Sequence, residues 1–125
     1  DRQSEDYRTA VKAFYSDLRD TWERLVEERL LGGVVKRYEK QVKTQTLREV
    51  EITDADHMAV YVGMTRASEW CHERAAALQT AMPDPSDADA DLRRLYEFAR
   101  TLKKRKEEVK TRREANERPP KATLA

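Results

Sequence analysis

The residues of this chain that could carry chemistry fall into four small groups. The triplet Cys71-His72-Glu73 sets a thiol beside an imidazole, and His57 adds a second imidazole. A nucleophilic thiol needs its base facing it in space, whereas adjacent residues on one helix point about 100° apart. Two histidines and one cysteine also fall short of the four ligands, or three plus water, that zinc requires. The acids Asp84, Asp87, Asp89 and Asp91 follow a Pro-Asp-Pro break. They lack the central glycine and terminal glutamate of a calcium loop, and capping of a following helix accounts for them better. The third group is the basic run Lys103, Lys104, Arg105, Lys106, Lys110, Arg112 and Arg113. Such a run can neutralise several phosphates of a nucleic acid, and equally can be the solvated end of a helix whose dipole favours cations. The fourth group is Lys36, Arg37, Lys40 and Lys43 around Tyr38. A tyrosine among cations can stack on a base, or can belong to the core at helical spacing with Val35 and Val42. No catalytic constellation emerges and no cofactor is expected. The glycines Gly32, Gly33 and Gly63 cannot supply the Gly-rich, lysine-ended loop that cradles nucleotide phosphates.

The elements that must position these groups are helical. Tyr7, Val11, Phe14, Leu18, Trp22, Leu25, Val26 and Leu30 recur every three or four residues, so a long first helix is expected, with Ser4 as its N-cap. Gly32-Gly33 then bends or breaks it, each glycine costing about 1 kcal/mol against alanine in a helix interior. Apolar residues flank this pair on both sides, in Leu30-Leu31 and Val34-Val35, so the turn itself must pack against something. From Val34 to Ile52 a short helix through Val35, Tyr38 and Val42 is expected, then an irregular connection with possible strand character. Thr53 or Asp54 caps the next helix, whose stripe is read as Met58, Tyr61, Val62, Thr65, Ala67 or Ser68, and Trp70. Ala75 to Leu78 extend it or form a fourth helix, and Pro83 and Pro85 stop it. Ser86, with Asp89, opens a long last helix on the stripe Leu92, Leu95 or Tyr96, Ala99, Leu102 and Val109. The pattern fades after Ala115.

The expectation is therefore an all-α antiparallel bundle of three or four helices over residues 1–115, with a disordered tail over 116–125. The chain has 125 residues, of which 39% are charged and 38% hydrophobic, so its core must be thin. A net charge of +1 draws it to neither nucleic acid nor membrane as a whole, and any electrostatic function must come from local segregation. No apolar run approaches the ~20 residues that span a bilayer. The single cysteine suits a reducing, cytoplasmic setting. The sequence opens on Asp1-Arg2 within a helix-like pattern, which suggests a piece of something larger.

Three segments carry a resemblance. They are Trp22-Glu23-Arg24-Leu25-Val26-Glu27-Glu28, then Leu30-Leu31-Gly32-Gly33-Val34-Val35-Lys36-Arg37-Tyr38 with Val42 to Leu47, and Gly63 to Ala75 followed by the proline break and a charged helix. Together they are similar to the C-terminal helical region of large bacterial SMC-like, ABC-type AAA ATPases of DNA repair or anti-phage defence. The resemblance implies that nucleotide-binding residues lie outside this chain. It also implies that the chain is an accessory module packing on the parent ATPase or on a partner protein. Trp22, Leu30, Val34, Val35 and Trp70 are the residues expected at that interface, and a second copy is another expected partner. The rival expectation is a stand-alone nucleic-acid-binding protein acting through Lys103 to Arg113.

Overall fold

A computed structural model describes residues 4–71 and 82–117. Among these residues the chain is all helix and connection, with no strand. Helix α1 runs Glu5–Leu25 and is capped as expected, the Ser4 Oγ accepting from the Tyr7 N–H at 3.1 Å. Its last turn widens into a π-helical turn, Val26–Leu30, in which the Leu31 N–H reaches the Val26 carbonyl at 2.8 Å. Gly32 and Gly33 then take φ of +59° and +69°, the left-handed backbone that closes a helix and that side-chain-bearing residues resist.

No helix follows over Val34 to Val42, contrary to the spacing of Val35, Tyr38 and Val42. The segment is a loop whose base is closed by the Lys43 N–H donating to the Val34 carbonyl at 2.8 Å. Between this loop and the next helix the one helical piece is a 3-10 turn at Thr44–Glu49. Helix α2, Asp54–Cys71, begins with a reciprocal pair in which the Asp56 N–H donates to Thr53 Oγ1 and the Thr53 N–H to the Asp56 carboxylate. Helix α3, Pro85–Asn116, is capped two residues before the expected position. Asp84, not Ser86, is its N-cap, boxed with Asp87, and Pro85 fills the first helical position where its missing N–H is harmless. It continues through Asn116, one residue beyond the boundary set by pattern alone. The expected helix at Ala75 to Leu78 and most of the tail lie outside the described residues. No helix among those described is long and apolar enough to cross a membrane.

One core joins Val11, Tyr15, Leu18 and Trp22 of α1 with Ala67 and Trp70 of α2 and Leu95, Phe98 and Leu102 of α3. Trp22 is 1% exposed and stacks on Phe98 at 5.7 Å, and its ring lies where a Cβ on Gly63 would stand, 2.3 Å away. Gly63 is therefore the slot that lets α1 approach α2. Two stripes turn out differently from the periodic reading. On α2 the inward set is Asp56, Gly63, Ala67 and Trp70, while Met58 and Tyr61 are exposed. On α3 Leu95 points inward with Phe98, and Tyr96 is exposed.

Candidate functional site

Among the described residues the interior carries two buried carboxylates, Asp91 and Asp56, and both serve the fold. Asp91 accepts from the Tyr15 hydroxyl at 2.5 Å and from Arg66 at 2.6 and 3.0 Å. Burial, then the Asp91 hydrogen bond, pushes the Tyr15 phenol well above its usual range. Asp56 is gripped by both terminal nitrogens of Arg105. Burial alone would raise its pKa, but the Arg105 and Thr53 hydrogen bonds outweigh that and hold it low. Asp91 is not one of the capping acids it was grouped with in sequence; it falls on the inward stripe of α3 one turn before Leu95, as Asp56 falls on that of α2 two turns before Gly63. Of the other acids after the proline break, Asp89 pairs with Arg93 at 2.9 Å. Cys71 is buried and free, and His72 and Glu73 lie outside the described residues.

The basic run of α3 is largely engaged within the chain. Arg105 binds Asp56 and the Glu51 carbonyl, Lys106 meets Glu49 at 3.2 Å, and Arg112 meets Glu51 at 2.7 Å. Arg113 donates to the carbonyls of Leu47 and Val50. These four straps bind the 44–56 segment onto α3, so much of the helix's cationic charge is matched internally. Lys103, Lys104 and Lys110 carry no such contact. Of the five residues expected at an interface, Trp22, Leu30, Val34 and Trp70 are buried within the chain itself. Only Val35, 55% exposed, stays available. A periodic stripe does not distinguish a core face from an interface face; here the stripe met its own chain.

What the tertiary structure does assemble stands on either side of the glycine turn. Arg37 folds back over α1, donating from Nε to Glu27 at 2.9 Å and from Nη1 to Glu23 at 3.1 Å. The Arg37 backbone N–H, then its guanidinium, lowers the pKa of Glu27. On that side lies an apolar groove of about 450 Å³, walled by Val26, Leu31, Val35, Val60 and Met64 with the Arg37 pair at its rim. On the other side a polar cleft of about 530 Å³ holds Arg29, Lys36, Lys43 and Lys106. Two basic groups far apart in sequence thus meet in one place. Tyr38, two residues beyond Lys36, lines neither surface and stands fully exposed at φ +69°.

No protein-family model, no curated protein and no solved structure matches this chain.

Proposed function

We propose that the chain is a non-catalytic helical interaction module that docks a helix of another protein domain along the outer side of α2 and the groove beside the glycine turn. The observation that carries this reading is the apolar circumference of α2. A surface helix in a small bundle needs one apolar stripe, facing its own core. At the edge of that stripe α2 carries Val60 and Met64, which pack against the core and also line the groove, and beyond them Tyr61 and Met58, both more than half exposed. By helical geometry these four follow one another around a single side. The rim charges are already neutralised, since Arg37 is held by Glu23 and Glu27, so the groove suits apolar side chains at helical spacing.

We take the source of that helix to be a parent ATPase domain acting in DNA metabolism or defence, as the resemblance of the three sequence segments implies. The free thiol Cys71 is in keeping with a cytoplasmic setting. Contact pairs support the antiparallel bundle: Tyr15 and Arg66 share Asp91, Trp22 meets Gly63, and Asp56 meets Arg105, so α2 runs against both neighbours. The internal straps on Arg105, Lys106, Arg112 and Arg113 weigh against nucleic-acid binding by the α3 run as the primary role.

Hydroxyl-radical footprinting tests the reading. The native gene product from its source cell is compared with the 125-residue chain. Met58 and Tyr61 should be protected in the native product, with Tyr96, exposed on α3, labelled alike in both. Equal labelling of Met58 and Tyr61 refutes the docking face. Protection that grows with concentration in the 125-residue chain alone assigns the face to a second copy instead.

A further inference from the structure

We infer that the cleft on the polar side of the glycine turn holds the phosphate backbone of a single-stranded nucleic acid, with Tyr38 stacking on one of its bases. The inference is independent of the docking face, which lies across the loop.

Charge comes first. The cleft draws Arg29 from the end of the π-helical turn, Lys36 and Lys43 from the loop, and Lys106 from α3. Its acids are Glu28 and Glu49, and Glu49 is taken by Lys106. Among the described residues no carboxylate lies within ion-pair distance of Arg29, Lys36 or Lys43. This contrasts with Arg37, Arg105 and Arg112, each paired to an acid. A chain with a net charge of only +1 therefore concentrates cations without a contact partner in one concave place, Lys36 acting on Glu27 only from beyond ion-pair distance, and such local segregation is what polyanion binding requires.

The cleft's floor is built and not incidental. A Cβ on Gly32 would stand 3.3 Å from both the Thr46 carbonyl and Val50, so the glycine turn seats tightly on the 3-10 segment. The loop is pinned at one side by Arg37 and closed at its base by the Lys43 N–H on Val34. Lys36 and Lys43 are thereby carried on an anchored frame.

Tyr38 supplies the second observation. It occupies the third position of a turn closed by the Glu39 N–H on the Lys36 carbonyl, with positive φ where glycine is the easy choice. Its ring is fully exposed and buries nothing that would offset the backbone strain. Strain kept at an exposed, cation-flanked aromatic points to a ligand. Aromatic platforms beside basic grooves take unstacked bases, which single strands offer and duplexes do not.

The test is fluorescence anisotropy of the 125-residue chain with a labelled oligothymidine of about 20 nucleotides and a duplex of equal length, across a salt series. The single strand should bind more tightly, with affinity falling as salt rises by a log–log slope of about −0.7 per phosphate neutralised. Lys36→Glu with Lys43→Glu should weaken binding at least about tenfold and flatten that slope. Tyr38→Ala should weaken it about tenfold with the slope unchanged, and Tyr38→Phe should restore it. Tyr38 and Lys43 are exposed and Lys36 is half-buried with its chain over Gly33, so thermal melts of each variant separate binding from folding. Absence of binding at low salt, equal affinity for duplex, or loss with Lys103→Glu/Lys104→Glu in place of Lys36/Lys43 would overturn the inference.

Discussion

Arg105 clasps both carboxylate oxygens of Asp56, at 2.5 and 2.9 Å, across 49 residues of sequence, and so locks the start of α2 to the middle of α3. The Asp56 side chain is 3% exposed, and Arg105 also holds the Glu51 carbonyl. Removing one member of such a pair leaves a charge buried without its partner. Asp56→Ala should therefore destabilise the fold by about 3–5 kcal/mol in urea unfolding. Arg112→Ala, which breaks the more exposed pair with Glu51, should change stability by no more than about 1 kcal/mol.

The same pair sets an acid limb. The pKa of Asp56 is lowered in the fold, so its stabilisation is complete above the ordinary carboxylate value of about 4 and is lost as pH falls through the depressed value. Wild-type stability should decline in that acid window, and Asp56→Asn should flatten the decline while lowering stability at neutral pH. An equally steep acid limb in the variant would remove Asp56 from the account.

Tyr15 sets the alkaline limb, with the opposite sign. Its phenol is raised by burial and by the hydrogen bond to Asp91, so the folded state keeps a proton that the unfolded chain releases above about 10. Stability should fall as pH rises past that value, and one tyrosine should resist ionisation in phenolate absorbance until the chain unfolds. Tyr15→Phe should cost about 1–3 kcal/mol at neutral pH, because Asp91 loses a donor, and should soften the alkaline decline.

Gly63→Ala tests the contact between α1 and α2. In an exposed helix this change would stabilise by about 1 kcal/mol. Here the added Cβ would stand 2.3 Å from the Trp22 indole, and overpacking should reverse the sign to a loss of about 1–3 kcal/mol. The atoms it meets belong to the far side of the indole, so the loss should shrink in a Trp22→Phe background, a coupling that a double-mutant cycle reads directly.

Tyr38→Gly should stabilise the chain. Relief of about 1–2 kcal/mol of left-handed strain is partly offset by the greater entropy glycine loses on folding, for a net gain of about 0.5–1 kcal/mol in thermal or urea unfolding. A loss of stability would mean that the exposed ring makes a contact that holds the loop.

Periodicity alone determined that this chain is helical, that a long first helix starts at Ser4 and meets a break at the glycines, and that a long last helix follows the prolines. These are local properties, written in side-chain spacing and in caps that act within one turn. The Val35, Tyr38 and Val42 spacing misled because the left-handed glycines redirect the backbone before it, and the Lys43 N–H then closes a loop on Val34. Met58 and Tyr61 misled because α2 is apolar on more than one side, and only the indole of Trp22 pressing on Gly63 decides which side faces in. Tertiary structure alone placed Trp22 and Trp70 in the chain's own core and matched Arg105, Arg112 and Arg113 to the 44–56 segment. It likewise brought Arg29, Lys36 and Lys43 to Lys106. The reason is physical: a cation's partner is fixed by proximity in space, and residues 49 or 61 positions apart become neighbours only once the helices have packed.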